Sequence, residues 1–316
     1  MVLLRFIPET TNVNFVKWRY LAFAIDGLLL AIAIFAMATK GFNLGIDFAG
    51  GVEIQAKAQH AINIAEIRQT LGSHGHNDLH VQTVGGGICN QPAESCIRIV
   101  ARPTAGQSEE ALASSIKEKL GSSYRYLNTQ VIGAKVSGEL FQRGIYATIL
   151  AVMMISFYVA MRFEWQYGVG ALIATGHDVF VTAGLYALFQ LDFSINSVAA
   201  LLLLAGYSIN DTVVVFDRIR ENRRKYKKIP IADLINLSTN QIATRTTLVS
   251  VATALSILPL LIYGGAALFD FSASILFGIV VGTFSSTYVA AALLLYLPPI
   301  GGRASVDAAA VPAIQR

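Results

Sequence analysis

The residues of this sequence that are best suited to chemistry are a few ionisable groups inside long apolar segments. An ionisable side chain at membrane depth is energetically costly and is a functional candidate by default. Asp211 is the foremost candidate, because small and polar residues surround it within an apolar run: Gly206, Ser208, Asn210 and Thr212. Polar groups gathered at this depth indicate a water-accessible groove, and the glycine allows a neighbouring helix to approach closely.

Arg245 begins a later apolar segment, and its long side chain can extend along a helix toward Asp211. Burial favours the neutral form of a carboxyl group, whereas a nearby guanidinium favours the charged form. A movement that changes the distance between the two groups would therefore couple proton uptake and release to helix movement. Extension of the Arg245 side chain toward the membrane surface is the alternative interpretation.

Two further carboxylates lie in apolar segments. Asp178 follows His177 in the middle of one segment, and a proton-carrying role and a structural role are both open for it. For His177 we expect a neutral interior histidine with satisfied hydrogen bonds. For Asp26, in the first apolar segment, we expect a structural hydrogen bond or a shifted segment boundary.

Protons are the expected coupling ion, with no other cofactor and no bound metal. One carboxylate beside an arginine, with few other oxygen ligands nearby, is better suited to a proton than to a metal cation, and sodium stays open as the alternative. The sequence contains no Walker-type phosphate loop, HExxH motif or serine-nucleophile elbow. We therefore expect a transport component driven by an ion gradient, and not an enzyme with a covalent step.

The composition places these groups in a membrane protein. The chain has 316 residues, of which 54% are hydrophobic and 14% are charged, whereas about 25% of the residues in an ordinary soluble domain are charged. This balance argues against a disordered chain, a nucleic-acid-binding protein and a disulfide-rich miniprotein. The net charge of +4 is typical of a membrane protein whose basic residues set its topology, so no nucleic-acid partner is expected.

Six apolar runs are long enough to cross the membrane as helices, since a span needs about 20 mostly apolar residues. The runs do not alternate with period two, which argues against an outer-membrane barrel. The first run is interpreted as an uncleaved signal anchor, because its apolar core is longer than the ~7–15 residues of a signal peptide. The predicted spans cover residues 18–38, 143–162, 167–189, 196–217, 246–264 and 270–297.

Basic residues in short loops predict the orientation of the chain. The 217–229 connection is rich in Lys and Arg, whereas the 189–195 and 264–270 loops contain neither. Both termini are therefore expected in the cytoplasm and the long polar segment on the outer side. The predicted organisation is a cytoplasmic segment 1–17, a first span 18–38, an outer domain 39–142, spans two to six within 143–297, and a disordered cytoplasmic tail 298–316.

The outer segment is polar and is expected to fold in water. Its strand-like and helix-like patterns follow the order β-α-β-β-α-β, which is typical of a small ferredoxin-like α+β domain. Asn63 and Ser108 are candidate N-caps of its two helices. The predicted elements cover residues 52–58, 64–71, 78–84, 96–102, 108–120 and 124–131.

The two cysteines of the chain, Cys89 and Cys96, flank a turn in this outer domain. In an oxidising compartment they can form a disulfide across that loop, and two free thiols are the alternative. Four histidines lie in the same domain with a spacing that fits no standard zinc site, so a solvated polar loop is expected. They are His60, His74, His76 and His80.

Three segments of the chain resemble motifs of the SecF family, the smaller membrane subunits of the SecDF protein-export complex in the RND superfamily. Residues 45–51 (GIDFAGG) follow the first span, residues 136–140 (VSGEL) precede the second, and residues 206–221 (GYSINDTVVVFDRIRE) lie in the fourth. The last motif is highly specific. Residues 162–165 and 177–178 fit as well, so the resemblance extends over nearly the whole chain.

The resemblance implies that the six spans form half of a twelve-span RND-type unit, with a small periplasmic domain between spans one and two. It implies a protein of the bacterial inner membrane that uses proton-motive force to promote late stages of preprotein translocation and release on the periplasmic side. The implied partners are SecD, the SecYEG translocon, a YidC-type insertase, the translocating preprotein and membrane lipids.

The resemblance also implies roles for particular residues. Asp211 matches an essential aspartate of the fourth span, Arg245 matches the arginine paired with it, and Asp178 is a weaker match. The glycine-rich motif after the first span is implied to be a flexible base of the outer domain, and a glycine turn that re-enters a strand is the alternative. Its residues are Gly45, Asp47, Gly50 and Gly51.

Two other functions stay open. One is an RND-like exporter of small molecules or lipids, although a single small outer domain argues against it. The other is a non-transporting scaffold that stabilises the translocon, in which Asp211 is merely a polar group at a helix contact.

Overall fold

The computed structural model describes residues 11–58, 63–72, 79–84, 96–104 and 107–298, so the predicted C-terminal tail lies almost wholly outside the described residues. The elements up to the end of the outer domain, called the head below, are α1 (Arg19–Thr39), β1 (Asn43–Leu44), α2 (Ile46–Ala49), β2 (Gly51–Ala58), α3 (Ile64–Gly72), β3 (Leu79–Val84), β4 (Cys96–Ala101), α4 (Glu109–Leu120) and β5 (Tyr124–Ile132).

The second part of the chain is helical apart from one short strand. Its elements are α5 (Ala134–Arg162), α6 (Trp165–Phe189), β6 (Asp192–Phe193), α7 (Ile195–Lys225), α8 (Ile231–Tyr263) and α9 (Ala266–Phe284), which continues through a π-helical turn (Ser285–Ala290) into α10 (Ala291–Leu293). Six helices of the described chain are long and apolar enough to cross a membrane. The predicted multi-pass helical architecture is therefore confirmed.

Three of these helices are longer than the predicted spans. Helix α5 begins at Ala134, where the sequence predicted residue 143; α7 ends at Lys225 instead of 217; and α8 begins at Ile231 instead of 246. Hydropathy detects only the apolar part of a helix, whereas the backbone hydrogen bonds continue through polar turns beyond it. The predicted basic loop 217–229 is consequently helical for most of its length.

The head contains the predicted β-α-β-β-α-β unit. Its antiparallel sheet has the strand order β3-β4-β2-β5, which is the ferredoxin-like arrangement. Strand β2 lies in the interior of the sheet, and its apolar side chains pack with those of β4 and α4. The Ser108 hydroxyl accepts a hydrogen bond from the backbone N–H of Ala111, and Asn63 Oδ1 accepts one from Ala65 N–H, so both predicted N-caps are present.

Small residues allow the membrane helices to approach one another closely. A Cβ atom added to Gly168 of α6 would lie 2.4 Å from the Cβ of Ala160 in α5, and one added to Gly184 would lie 2.3 Å from the Cβ of Ala33 in α1. Helices α6, α7 and α9 form the centre of the bundle, whereas α1, α5 and α8 are more exposed at its periphery. The candidate carboxylates lie in the central helices and along their contacts with peripheral ones.

Candidate functional site

Asp211 lies near the middle of α7. At 1.5 Å per residue it is about 24 Å from Ile195 and about 21 Å from Lys225 along the helix. Its side chain is buried, with 3% of the residue exposed. The Oδ2 atom has no hydrogen-bond partner among the described residues. A buried carboxylate without a partner is energetically unfavourable, so this oxygen is poised to take up a proton or to meet a cation.

Arg245 lies on α8 at a matching depth. It is about 21 Å from Ile231 along the helix, so it lies inside α8 and not at its first residue. The two groups interact electrostatically, but Arg245 is exposed and forms no ion pair with Asp211 in the described part of the chain. The pair is therefore close enough for the two charges to influence each other and still separate.

A groove of about 610 Å³ opens beside Arg245, at the end of the bundle away from the head. It lies between α5, α7 and α8, and its lining includes Asp217, Arg218 and Gln241. The Arg218 Nε donates a hydrogen bond to Gln241 Oε1 at 2.7 Å, which links α7 to α8 along the groove. Asp211 lies beyond the lining, about half a turn of α7 from Val213 and fewer than two turns from Asp217.

Asp178 of α6 is fully buried, and each of its carboxylate oxygens has at least one hydrogen-bond partner. Its Oδ2 accepts hydrogen bonds from the hydroxyls of Ser208 at 2.6 Å and Ser285 at 2.9 Å. Its Oδ1 lies 3.1 Å from Nδ1 of His177. Three central elements, namely α6, α7 and the π-helical turn, therefore converge on one carboxylate.

The π-helical turn supplies hydroxyl groups that the sequence reasoning missed. The Ser286 hydroxyl donates to the backbone oxygen of Ser208 at 3.4 Å and lies 2.9 Å from the Thr212 hydroxyl. Single π-helical turns within α-helices occur frequently at functional sites. The polar run 285–287 inside an apolar span was the sequence signal that could have revealed this turn.

Asp26 and His177 join α1 to the Asp178 site. His177 Nε2 lies 3.2 Å from the backbone oxygen of Asp26, and His177 Nδ1 lies 4.0 Å from Asp26 Oδ2. Asp26 is buried, and neither of its carboxylate oxygens has a hydrogen-bond partner among the described residues. The structural hydrogen bond expected for this side chain is thus absent there, and Asp26 lies inside α1 and not at its boundary.

The residues around Asp211 divide between two faces of α7. Ser208 and Thr212 are buried and belong to the hydrogen-bonded cluster. Asn210 and Gly206 are exposed, and a Cβ added to Gly206 would meet no atom within 4 Å. Within the described chain no helix approaches Gly206 closely, so the approach that this glycine allows stays a prediction.

The glycine-rich motif after α1 forms a packed joint between the membrane helices and the head. Strand β1 pairs in parallel with β6, and Asp47 Oδ2 accepts a hydrogen bond from Ile195 N–H at 3.0 Å at the start of α7. Gly45 N–H donates to Phe193 O at 2.9 Å. These bonds tie the motif to the α6–α7 connection.

The last two glycines of the motif have backbone conformations that other residues rarely adopt. Gly50 has a φ of +77° and Gly51 a φ of +133°. A Cβ on Gly51 would lie 2.6 Å from the carbonyl oxygen of Ala101, and one on Gly50 would lie 3.0 Å from Ala134 Cα. The segment is a tight turn that leads into β2. This geometry favours the second interpretation given above, a glycine turn that re-enters a strand, over a flexible base.

An ion-pair network that the sequence did not predict fixes the head to the membrane helices. Arg98 of β4 donates hydrogen bonds to Glu53 Oε2 at 2.9 Å and to Asp192 Oδ2 at 2.6 Å. Asp270 Oδ2 in turn accepts from Asp192 N–H at 2.9 Å. Burial opposes the charged guanidinium, but the two carboxylates outweigh it and raise the pKa of Arg98 above its usual value.

The remaining candidates lie in the head. Cys96 is disulfide-bonded, and Cys89 lies outside the described residues, as do His60, His74 and His76. His80 is exposed on β3. Within the described ranges, no group of three His, Cys, Asp or Glu residues is arranged to hold a metal ion.

The family models match this chain in two places. The model for the C-terminal part of the protein export membrane proteins SecD and SecF matches residues 112–298, and the model for the SecD/SecF GG motif matches residues 35–62. The chain belongs to the SecD/SecF family. The membership agrees with the three sequence motifs, and the buried carboxylates described above lie in or beside the matched helices.

Curated relatives extend over almost the same length. The protein translocase subunit SecF of Cereibacter sphaeroides is 39% identical over 303 residues, covering 93% of this chain and 92% of the relative. SecF of Vibrio alginolyticus is 38% identical and covers 90% of each chain. The protein translocase subunit SecDF of Brucella abortus is 35% identical over 92% of this chain, which matches 38% of that longer protein.

Two solved structures of SecDF proteins have the same fold. The translocon-associated membrane protein SecDF from Thermus thermophilus superposes with a TM-score of 0.77 at 34% identity, and SecDF in a super-membrane-facing form superposes with a TM-score of 0.67. Each comparison covers more than nine-tenths of this chain but 39% of the solved chain. The fold is therefore that of one part of a longer SecDF chain.

Proposed function

We propose that this chain is a proton-motive-force-coupled accessory subunit of the Sec translocase, which acts with SecD to promote late stages of preprotein translocation and release at the periplasmic side. The observation that carries the proposal is Asp211, a buried carboxylate in the middle of α7 whose Oδ2 has no hydrogen-bond partner among the described residues. Arg245 lies at a matching depth on a neighbouring helix and borders an open groove.

The coupling step is an exchange between a proton and a guanidinium at Asp211. When Arg245 is withdrawn into the groove, the buried carboxyl group is most stable with a proton bound. When α8 brings the guanidinium toward Asp211, the carboxylate becomes stable and the proton leaves. The position of α8 relative to α7 therefore follows the protonation of Asp211. Asp178 joins the pathway through Ser208, which lies one turn of α7 from Asp211.

SecD is the proposed partner that completes a twelve-span unit. The SecDF relative and the solved SecDF proteins are longer chains in which a segment like this one occupies 38–39% of the length. The most exposed membrane helices, α8 and α5, carry large apolar side chains such as Leu255 and Phe157 that require lipid or a partner helix. The further proposed partners are SecYEG, a YidC-type insertase, the preprotein and membrane lipids.

The proposed location is the bacterial inner membrane, with both termini in the cytoplasm and the head in the periplasm. Basic residues in the last turn of α7 support this orientation, because Lys and Arg are retained on the cytoplasmic side; they are Arg223, Arg224 and Lys225. The head joins the opposite end of the bundle, where Arg98 contacts Asp192.

Preprotein translocation into vesicles that contain SecYEG, SecD and this chain tests the proposal. Translocation is started with ATP and then continued with or without a proton gradient. With Asp211→Asn, the gradient should no longer accelerate completion, whereas the exposed neighbour variant Asn210→Ala should respond like the unmodified chain. Equal acceleration in the Asp211→Asn and unmodified chains would favour a scaffold role, and replacing Na⁺ by K⁺ separates sodium from proton coupling.

Co-purification from native membranes tests the partners separately. Recovery of SecD and SecYEG with the chain is expected. Recovery of an outer-membrane channel in their place would favour an exporter of small molecules or lipids.

A further inference from the structure

A second group of ionisable side chains lies at the contact between α1 and α6. It consists of Asp26, His177 and Asp178, here called the triad, and each member is buried or nearly so. One imidazole ring connects the two carboxylates: Nδ1 lies 3.1 Å from Asp178 Oδ1 and 4.0 Å from Asp26 Oδ2. Ser208 of α7 lies between the triad and Asp211. Its hydroxyl donates a hydrogen bond to Asp178, and it is about one helical turn from Asp211.

The positions of the acceptors determine where hydrogens must be. His177 Nε2 lies 3.2 Å from the backbone oxygen of Asp26, an atom that can only accept, so Nε2 carries a hydrogen. If the ring were neutral, Nδ1 would then present a lone pair to two carboxylate oxygens. A proton between Nδ1 and Asp178 Oδ1 removes this repulsion. The triad therefore holds one proton in addition to the hydrogen on Nε2 of a neutral imidazole, and this proton lies between Nδ1 and Asp178 Oδ1.

Asp178 and Asp26 differ in how they can carry charge. Asp178 Oδ2 accepts hydrogen bonds from two serine hydroxyls, which stabilise the ionised form. Asp26 has no hydrogen-bond donor to either oxygen among the described residues. With His177 doubly protonated and both carboxylates ionised, the triad has one net negative charge. A proton on Asp26 makes it neutral, so Asp26 is the member placed to exchange.

We propose that Asp26, His177 and Asp178 form a second buried proton-binding site, in which one proton is held between His177 and Asp178 and another is exchanged at Asp26. This second site deepens the proposed function, because Asp178 belongs both to the triad and to the proposed pathway through Asp211. Proton binding by the triad is tested separately from proton coupling at Asp211.

Among the described residues, the helices packed against the triad offer no other charged group as a competing partner. The electrostatic interactions of Asp26 are with His177 and Asp178, and those of His177 are with Asp26 and Asp178. Helix α7 brings Asp211 and the hydroxyl of Ser208. Helix α5 has no acidic, basic or histidine residue between Arg143 and Arg162, and α9 with the π-helical turn has none after Asp270.

The location of the triad gives the exchanged proton a mechanical consequence. Helix α1 contacts α6 closely at Ala33 and Gly184, and the triad lies at the same helix–helix contact. Helix α1 leads directly through β1 and α2 into the head. A change in the charge of Asp26 therefore alters the attachment of the helix that connects the N-terminal side of the head to the bundle.

The ring protonation of His177 can be read by ¹⁵N nuclear magnetic resonance of the full-length chain in lipid bilayers. Replacement of the other four histidines by glutamine leaves His177 as the single ring signal and leaves the triad intact; the replaced residues are His60, His74, His76 and His80. At neutral pH, both ring nitrogens are expected to carry protons. Asp178→Asn should convert the ring to the neutral form with hydrogen on Nε2, whereas Asp211→Asn should leave the signal unchanged.

Infrared difference spectra between acidic and alkaline buffer provide the second readout. A carboxylic-acid C=O component should be present in the unmodified chain and lost from the difference spectrum of Asp26→Asn. Asp211→Asn should lose a different component and retain this one. A neutral His177 combined with a protonated Asp178 also supports a shared proton. A neutral His177 in a chain whose carboxylic-acid band is unaffected by Asp26→Asn and Asp178→Asn overturns the proposal, whatever the Asp211 variant does to translocation.

Discussion

Asp178 and Asp211 are both buried carboxylates in central membrane helices, but their surroundings are opposite. Asp178 has two hydroxyl donors and an imidazole within hydrogen-bond distance, whereas Asp211 Oδ2 has no partner among the described residues. Asp178 lies between α6, α7 and the π-helical turn at the centre of the bundle, and Asp211 interacts electrostatically with Arg245 on the peripheral helix α8. A fully hydrogen-bonded carboxylate and one with an unpartnered oxygen thus lie on adjacent helices.

The free energy of unfolding should separate the two sites most strongly. Asp178→Ala leaves two serine hydroxyls and an imidazole without their acceptor, so we expect a loss of about 3–5 kcal/mol. Asp211→Ala removes a carboxylate whose Oδ2 has no hydrogen-bond partner among the described residues, and it should change the free energy of unfolding by less than about 1 kcal/mol. Denaturant unfolding in lipid-like bicelles measures both. Equal losses for the two variants would mean that Asp211 is as firmly held as Asp178.

The two serine hydroxyls at Asp178 should each have an intermediate effect. Ser208→Ala or Ser285→Ala removes a hydrogen bond to a charged acceptor, which is worth about 1.5–3 kcal/mol. In an Asp178→Asn background each replacement should have a smaller effect, because the acceptor is no longer charged. Additive losses in the double variants would show that the serines stabilise the bundle without acting on Asp178.

The hydroxyl pair at the edge of the cluster should matter less. Thr212 and Ser286 form a neutral hydrogen bond of 2.9 Å, so Ser286→Ala should reduce the free energy of unfolding by about 1 kcal/mol. Thr212→Val keeps the shape of the side chain and serves as its matched variant. If Ser286→Ala reduced the free energy of unfolding as much as Ser285→Ala, Ser286 would also belong to the site that stabilises the Asp178 charge.

A replacement on the exposed face of α7 should change the free energy of unfolding least, and it should raise it where the preceding replacements lower it. A Cβ on Gly206 meets no atom within 4 Å, and alanine favours a helix over glycine by about 1 kcal/mol. Gly206→Ala should therefore stabilise the isolated chain slightly. The same replacement measured with SecD bound provides the contrast, since a loss that appears only in the complex would place the partner on this face.

The sequence predicted the elements whose signals are local. Six apolar runs and the alternating pattern of the head were sufficient for the six helices and the β-α-β-β-α-β unit, because hydrophobic periodicity depends on neighbouring residues. The N-caps at Asn63 and Ser108 followed from residue type and position. Helix ends were less accurate, since polar turns of α7 and α8 extend beyond the apolar segments.

The environment of each candidate could not be predicted in this way. The sequence identified Asp211 and Asp178 but did not distinguish a satisfied carboxylate from an unsatisfied one, because the partners of Asp178 are 30 and 107 residues away along the chain. The ion pair between Arg98 and Asp192 was not predicted for the same reason, since 94 residues separate its two members along the chain. Residue type also does not specify which face of a helix packs within the chain, so the exposure of Gly206 could not be predicted.

Proton flux measured in vesicles tests the central claim most directly. Vesicles that contain the translocase, SecD and this chain, loaded with a pH-sensitive dye and given a proton gradient, should take up protons faster during preprotein translocation. Asp211→Asn should abolish that additional uptake, and Asp178→Asn should reduce it while the chain remains folded. Additional uptake in Asp211→Asn equal to that of the unmodified chain would contradict the assignment of Asp211 as the exchanging carboxylate.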